Sequence, residues 1–356
     1  MFAVWILTPN GSQLADKIHQ NLPDVCVYAS HNIEATTTEY QTFQNLAESI
    51  KQKFHQYTGH IFIMSTGIVV RVIAPLIKHK TEDPAVVVVD DGGNHAISLL
   101  SGHLGGANEL TRKISQIIGA NPVITTATDI NEVPAIDMLA KENNLFIENP
   151  GAIKTVNMAL LTGKKIMIYD PYNILKNTLP GSAYLTFDEL MGHFNKNGQH
   201  IDIEGVAYVF IDDIRVDLPP TVLILRPASL IAGIGCNRNT KAAEILTHLE
   251  DVLAKNNLAL SSLKGMASID VKADENGLIR TAENLKLPLT FFSKQELNQV
   301  KNIKNPSQIV EKHVGVKSVC EAAAILAARD GRLIVPKQST KNVTVAIARI
   351  NCLSSE

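Results

Sequence analysis

Ala85-Val-Val-Val-Val-Asp-Asp-Gly-Gly-Asn-His-Ala-Ile-Ser-Leu-Leu-Ser-Gly-His-Leu-Gly-Gly-Ala-Asn-Glu-Leu110 carries the fold in short form. The four valines of Ala85–Val89 are the kind of run shown by a strand covered on both faces. The turn residues Asp91-Gly-Gly-Asn94 separate it from a second strand, Ala96–Leu100, and Gly102, Gly105 and Gly106 open a turn into a helix near Ala107–Ile118. Upstream, Ala3–Leu7 reads as a strand, Gln13–Asn21 as a helix, Val25–Tyr28 as a strand, Glu39–Tyr57 as a long helix and His60–Met64 as a buried strand. Downstream lie a short strand around Val123–Ile124 and a helix from Asn131, where Asp129 and Glu132 read as a capping box. Repeated β-then-α order implies a largely parallel sheet with helices on its faces.

The pattern weakens from about Asn149 to Pro220, with a helix at Ile153–Leu161 and a strand at Lys165–Tyr169. Thr221–Arg226, bracketed by prolines, reads as a linker or edge strand. The rhythm then restarts with strands at Leu230–Ile234, Gly265–Val271 and Leu289–Phe292, and helices at Lys241–Lys255 and Asp274–Leu285. Helices at Pro306–Val314 and Val319–Arg329 follow, then strands at Arg332–Pro336 and Val343–Ile350, as a hairpin or as neighbours. The expected class is α/β and multidomain. Mainly parallel sheets flanked by helices form an N-terminal module (1–145) and a C-terminal module (226–356), with a small α/β module (146–225) between them. A length of 356 residues suits two to three domains.

Composition narrows the function. The 33 Lys+Arg against 35 Asp+Glu leave a net charge of −2, and aromatics make up 5%. A nucleic-acid binder normally shows a basic face, so no nucleic-acid partner is expected. No apolar stretch approaches the ~20 residues of a bilayer helix, and no basic stretch precedes the apolar start, so neither a membrane partner nor a secretory signal is expected. Four widely spaced cysteines without CxxC fit a reduced, cytoplasmic setting. The histidines show no metal-ligand spacing, and no protein-held metal is expected.

The turn 102–106 is the most unusual segment. Glycines there let backbone N–H groups approach a ligand, and the helix N-terminus adds roughly half a positive charge. Such a place suits a carboxylate, a phosphate or a developing oxyanion. It matches neither GxxxxGK(S/T) nor GxGxxG, so a nucleotide is not indicated. His103 reads either as a general base or as a loop histidine bonding a backbone carbonyl. A second glycine cluster, Ile231-Ala-Gly-Ile-Gly-Cys-Asn-Arg-Asn-Thr240, has Arg238 where a dinucleotide fingerprint beginning at Gly233 has its last glycine. Arg238 suits a carboxylate clamp instead. Thr240 is expected as an N-cap, and Cys236 as a small buried residue rather than a nucleophile.

The remaining candidates carry two readings each. In Ser65-Thr-Gly-Ile-Val-Val-Arg71, Thr66 is a natural cap, and Arg71 is either a solvated helix residue or an anion contact. Asp270 and Lys272 point to one face, with a surface ion pair as the plain account. Glu321 follows Ser318 by three residues, which reads first as a capping box. Thr125-Thr-Ala-Thr-Asp129 either lines a cleft or is turn chemistry.

Together these segments resemble the cobalt-precorrin-5A hydrolase family of anaerobic cobalamin biosynthesis. The resemblance rests on Gly67-Ile-Val-Val-Arg-Val-Ile-Ala-Pro75, Asp83-Pro-Ala-Val-Val-Val-Val-Asp90, Leu99-Leu-Ser-Gly-His-Leu-Gly-Gly-Ala-Asn108 and Val123-Ile-Thr-Thr-Ala-Thr-Asp129. Gly233-Ile-Gly-Cys236, Ser318-Val-Cys-Glu-Ala-Ala-Ala324 and Val343-Thr-Val-Ala-Ile-Ala-Arg349 extend it to the C-terminal module. It implies hydrolytic opening of a δ-lactone on a cobalt tetrapyrrole and loss of acetaldehyde, with the cobalt part of the substrate and no cofactor of the chain's own. On that footing His103 is expected as the base that activates water, and Asp90, taken to lie beside the turn, as its orienter. Ser101 and Asn108 are expected as further polar contacts, and Glu321 as a reserve acid–base. Thr66, Gly67, Arg71, Gly102, Gly105, Gly106, Gly233, Gly235, Cys236, Arg238, Lys272 and Lys337 are expected to bind substrate. A homodimer or a transient contact with neighbouring pathway enzymes is compatible with it. Two other classes compete. A corrinoid carrier predicts binding without aldehyde, and a nicotinamide oxidoreductase predicts nucleotide binding despite the missing fingerprint.

Overall fold

The computed structural model describes the chain apart from residues 23, 34–38, 80–81, 132, 177, 195–204, 302, 307–314, 330 and 352–356. It divides into two compact units, Met1–Met138 and Leu139–Glu356. In the first, strands β1 (Phe2–Ile6), β2 (Val25–Ser30), β3 (Tyr40–Phe43), β4 (Gly59–Ile63), β5 (Ala85–Val89), β6 (His95–Leu100) and β7 (Asn121–Val123) form one sheet. Its order is β3-β2-β1-β4-β5-β6-β7. The strands from β3 to β5 run parallel. β6 reverses against β5, with Val89 opposite Ala96 and Val86 opposite Leu100, and β7 runs parallel to β6.

The four valines alternate between two cores, because side chains of a strand alternate between faces. Val87 and Val89 pack under α1 (Pro9–Asn21) and α4 (Ala107–Ile118), against Leu14, Ile18, Leu110 and Ile114. Val86 and Val88 pack under α2 (Leu46–Lys53) and α3 (Thr66–Ile73), against Ile50, Val69 and Ile73. This is the two-sided cover expected of an all-apolar strand.

Three local expectations for this unit change, and a fourth is not fully described. Glu39–Tyr57 is not one helix: Tyr40–Phe43 joins the sheet edge as β3, and Asn45 starts α2 by accepting a bond from the Glu48 N–H at 3.1 Å. Asn131 ends rather than begins a helix, since α5 spans Ala127–Ile130 and α6 (Ile136–Glu142) starts beyond Pro134. The Asp129–Glu132 capping box lies partly outside the described residues. Ser65, not Thr66, occupies the N-cap of α3, without a side-chain cap bond.

The α2–α3 side holds a buried histidine. Trp5 Nε1 donates to His60 Nδ1 at 3.0 Å, His60 Nε2 donates to the Phe54 carbonyl at 3.0 Å, and the ring stacks between Phe54 and Phe62. Burial pushes this imidazole down to about 4. In the unfolded chain it takes its proton near 6.5, so this contribution to stability is complete above that pH and is lost as pH falls toward 4. The loss approaches about 3 kcal/mol. Urea unfolding followed by circular dichroism between pH 7 and pH 4 is expected to show this slope. A His60→Gln variant keeps one donor and one acceptor but does not titrate, and should flatten that part of it.

The second unit holds two five-stranded sheets. In one, β9 (Ile166–Tyr169), β10 (Ser182–Tyr184), β11 (Ala207–Ile211) and β12 (Leu223–Pro227) are parallel and β8 (Leu145–Ile147) is an antiparallel edge, in the order β10-β9-β11-β12-β8. The stretch read as a linker or edge strand is thus an interior strand, and its Arg226 is fully buried against Glu148 and the carbonyls of Asp212 and Ile214. In the other sheet, β13 (Leu230–Cys236), β14 (Leu263–Ile269) and β15 (Leu289–Phe292) are parallel. The hairpin β16 (Arg332–Ser339) and β17 (Val343–Arg349) completes it in the order β15-β14-β13-β17-β16. Helices α7 (Ile153–Leu161) and α8 (Phe187–Gly192) belong to the first of these sheets, and α9 (Ala242–Lys255), α10 (Asn276–Leu285), α11 (Lys294–Gln299) and α12 (Val319–Ala327) to the second. Most of the helix expected at Pro306–Val314 lies outside the described residues. Lys241, not Thr240, is the N-cap of α9; the Thr240 hydroxyl donates to the Asn237 carbonyl at 2.8 Å. Three mainly parallel sheets flanked by helices make the chain a multi-module α/β protein.

Candidate active site

Because β6 and β7 are parallel neighbours, the segments that follow them leave the same sheet edge. After β6 the chain turns sharply, with Ser101 at φ 58° and Gly106 at φ 86°, both left-handed. A Cβ on Gly105 would stand 2.3 Å from Ser101 Cβ, so only glycine closes this turn. The Ser101 and Gly102 carbonyls accept the N–H groups of Ala107 and Asn108 at 3.1 and 3.0 Å, and the His103 carbonyl accepts that of Gly106 at 2.9 Å. The first N–H groups of α4 are therefore satisfied by the turn itself. Those of Gly102, His103 and Gly105 have no acceptor among the described residues. The Ser101 hydroxyl is buried without a hydrogen-bond partner among the described residues.

His103 projects from this turn, with 17% of its side chain exposed, toward the segment after β7. Its Nε2 lies 3.1 Å from Asp129 Oδ2 and 3.0 Å from Thr128 Oγ1, and its Nδ1 lies 3.3 Å from Asp137 Oδ2. Asp129 also accepts bonds from Asn108 Nδ2 at 2.9 Å, from Thr126 Oγ1 at 2.7 Å and from Arg112 Nη2. Ser98 Oγ in turn donates to Asn108 Oδ1 at 2.6 Å. Burial alone would raise the Asp129 carboxyl; bonds from Thr126, Arg112 and His103 overcome it and hold the group down to about 2. The hydrogen bond to Asp137 is the main cause that raises His103 above the ordinary histidine value, against the opposing effect of burial.

Asp90 does not orient His103. The β5–β6 pair is a hairpin, so Asp90 stands where β6 begins and His103 follows where β6 ends, at opposite edges of the sheet. Its carboxylate accepts the N–H groups of Gly92 at 3.0 Å and His95 at 2.6 Å, which secures the hairpin turn. Thr66 and Gly67 follow β4, which is parallel to β5, and so share the Asp90 edge. Arg71 lies further along α3, exposed and without an ion-pair partner among the described residues. Of the first-module candidates, the structure thus gathers His103, Ser101, Gly102, Gly105, Gly106 and Asn108, and separates Asp90, Thr66 and Gly67 from them.

The second-unit candidates are engaged in their own unit. Gly233 and Gly235 bring β13 against its neighbours: an added Cβ would lie 1.9 Å from the Cys320 carbonyl oxygen at Gly233 and 2.6 Å from Thr344 Oγ1 at Gly235. Burial pushes the Cys236 thiol up, away from a reactive thiolate. Arg238 pairs with Asp274 and donates to the Val271 carbonyl at 2.8 Å, while Lys272 sits 3.8 Å from Glu275 and not against Asp270. Glu321 is fully buried and accepts the N–H groups of Lys304, Asn305 and Lys337 at 2.7, 3.1 and 2.8 Å. Its carboxylate is directed there, and the expected Ser318 capping box does not form. Lys337 enters this cluster through its backbone.

Thr126, Thr128 and Asp129 come from Thr125–Asp129, the stretch read either as lining a cleft or as turn chemistry, and they join the His103 cluster. Sequence reading missed Ser98, Arg112 and Asp137 as members of it; Asp137, on a short helix beyond Pro134, offered no signal.

Three family models match the chain in order: the N-terminal region of cobalamin synthesis G over residues 48–129, a cobalamin biosynthesis central region over 134–227, and the C-terminus of cobalamin synthesis G over 230–348. A cobalt-precorrin-5A hydrolase from Priestia megaterium is 33% identical over 363 residues, covering 98% of this chain and 95% of that one. One from Salmonella typhimurium is 34% identical over 348 residues, covering 97% and 96%. A probable cobalt-precorrin-5A hydrolase from Methanocaldococcus jannaschii is 30% identical, covering 99% of both. With all three models in sequence and near-complete mutual coverage, the chain belongs to the cobalt-precorrin-5A hydrolase family.

Proposed function

We propose that this protein opens the δ-lactone of cobalt-precorrin-5A by hydrolysis and releases acetaldehyde, and that the chemistry takes place at the His103 turn. The observation that carries the reading is full-length similarity to relatives named for this activity, in a chain whose glycine turn offers free N–H groups beside a clustered imidazole. Water attacks the lactone carbonyl, and the N–H groups of Gly102, His103 and Gly105 receive the tetrahedral oxyanion; one such donor is typically worth about 10²–10³ in rate. Opening frees an alcohol on the former meso carbon. Its deprotonation expels that carbon and its methyl group as acetaldehyde, the macrocycle and its bound cobalt taking the electron pair. The cobalt arrives and leaves with the substrate, and in this reading the chain supplies no cofactor. No helix among the described residues is long and apolar enough to cross a membrane. A cytoplasmic location belongs to the same proposal.

The test is anaerobic incubation of the pure protein with the cobalt lactone intermediate, followed by an acetaldehyde assay. Stoichiometric aldehyde is expected. Tight binding with no aldehyde would sink the hydrolase reading and leave a corrinoid carrier.

A further inference from the structure

We propose, on the hydrolase reading of the ligand, that the flat body of the cobalt tetrapyrrole lies on the outward face of α3 and of the short turn of helix after it. Arg71 and Lys78 would take carboxylates at its rim. Val69 and Ile73 bury α3 against the first-unit core, yet the helix is apolar on its other side as well. Ile68, Val70 and Ile77 stand 39%, 46% and 42% exposed, with Ala74 and Pro75 exposed between them. A surface helix normally turns polar side chains outward, and a contiguous apolar patch rimmed by charge marks a binding surface.

This face ends at the His103 turn. The buried Asp83 carboxylate accepts the Lys78 N–H through both oxygens, at 3.0 and 3.1 Å. The Asp83 carbonyl oxygen would stand 3.3 Å from a Cβ placed on Gly105. Asp83 thus ties the end of the α3 segment to the turn whose N–H groups receive the oxyanion in the proposed reaction. Val72 and Leu76 from this segment, and Leu99 and Leu100 from β6, pack on the same core and remain half-buried, while α4 packs on the opposite core. The apolar surface therefore extends from α3 toward Ser101.

Charge and size select the occupant. From Ser65 to Thr81 the sequence holds no acidic residue, while Arg71, Lys78 and Lys80 are cationic. Biological tetrapyrroles carry acetate and propionate carboxylates around an apolar ring, and Arg and Lys are the side chains that bind them. Arg71 and Lys78 are exposed and seven positions apart, so they share one side of the helix at a spacing of roughly 10 Å, about the breadth of such a ring. The whole strip is roughly 18 Å long and 10 Å wide, on the order of 200 Å². One face of a flat macrocycle covers that area, whereas a stable protein interface needs about 800 Å² from each partner.

The experiment is anaerobic optical titration of wild type, Val70→Glu, Ile77→Glu and Arg71→Gln with the cobalt lactone intermediate. Met158→Glu is the control, since Met158 is 48% exposed on α7 of the second unit. Each glutamate removes an apolar contact and sets an anion against the rim carboxylates, so binding should weaken by about 10- to 100-fold. Arg71→Gln should weaken it by about tenfold. In acetaldehyde release these losses should appear in KM, and Met158→Glu should bind as wild type does. Trp5 emission verifies the fold of each variant, and Arg71→Gln, which only removes a charge, decides alone should a glutamate variant unfold. Wild-type affinity in the folded α3 variants overturns the inference. So does a wild-type dimer that Val70→Glu splits in sedimentation, which would make the strip an interface between copies. A wild type that binds the intermediate without making aldehyde overturns the hydrolase reading, and the affinities still decide the docking face.

Discussion

Acetaldehyde release by His103→Ala is expected to fall by about 10²–10⁴-fold, the range typical for loss of a positioned general acid or base. The N–H groups of Gly102 and Gly105 remain, so the residual rate should stay above that of the free lactone in buffer. Substrate affinity, read by optical titration of the cobalt chromophore, should change little, because the imidazole is held by the protein's own carboxylates. Asp129 keeps Asn108, Thr126 and Arg112, whereas Asp137 loses its contact with the imidazole, so a modest loss of stability is also expected. Turnover near wild type in this variant would remove the histidine from the mechanism.

The largest effect on stability is expected from Gly233→Ala. The new Cβ would lie 1.9 Å from the Cys320 carbonyl oxygen, 2.7 Å from the Ala324 backbone nitrogen and 2.9 Å from Ala324 Cβ. These are backbone and first side-chain atoms of α12, which packs on β13 through Ala322, Ala323 and Ala324 with no flexible tip to move aside. The helix must lift off the sheet. Overpacking of this kind costs about 3 kcal/mol at the upper end of its usual range. In a unit of this size that lowers its melting temperature by roughly 6–12 °C. Gly192→Ala, where nothing lies within 4 Å, is the matched control and should melt with wild type. Equal melting of the two variants would mean that Gly233 is not a packing glycine and would return it to the list of ligand contacts.

What was legible in the sequence follows the range of the signal. The valine run, the glycine turn and the α/β rhythm are local patterns, and they placed most strands of both outer modules. Tyr40–Phe43 was misread because four residues of an edge strand precede a helix and were absorbed into its periodicity; the Asn45 cap was the available boundary marker. The error over Asp90 was one of topology. Asp91-Gly-Gly-Asn94 is hairpin chemistry, and a hairpin separates the residue before its first turn from the residue after its second strand. Asp137 was illegible because its partnership with His103 spans 34 positions and depends on how a short helix is aimed. Glu321 failed for the same reason: the three N–H groups that hold it come from two distant segments.

Trp5 is the chain's single tryptophan, stacked on Tyr28 and bonded to His60 at the centre of the first sheet. Its emission therefore reports on the first unit alone, while the second is optically silent at that wavelength. Divergence between the fluorescence transition and the whole-chain calorimetric transition would directly measure how far the two units unfold as separate cooperative bodies.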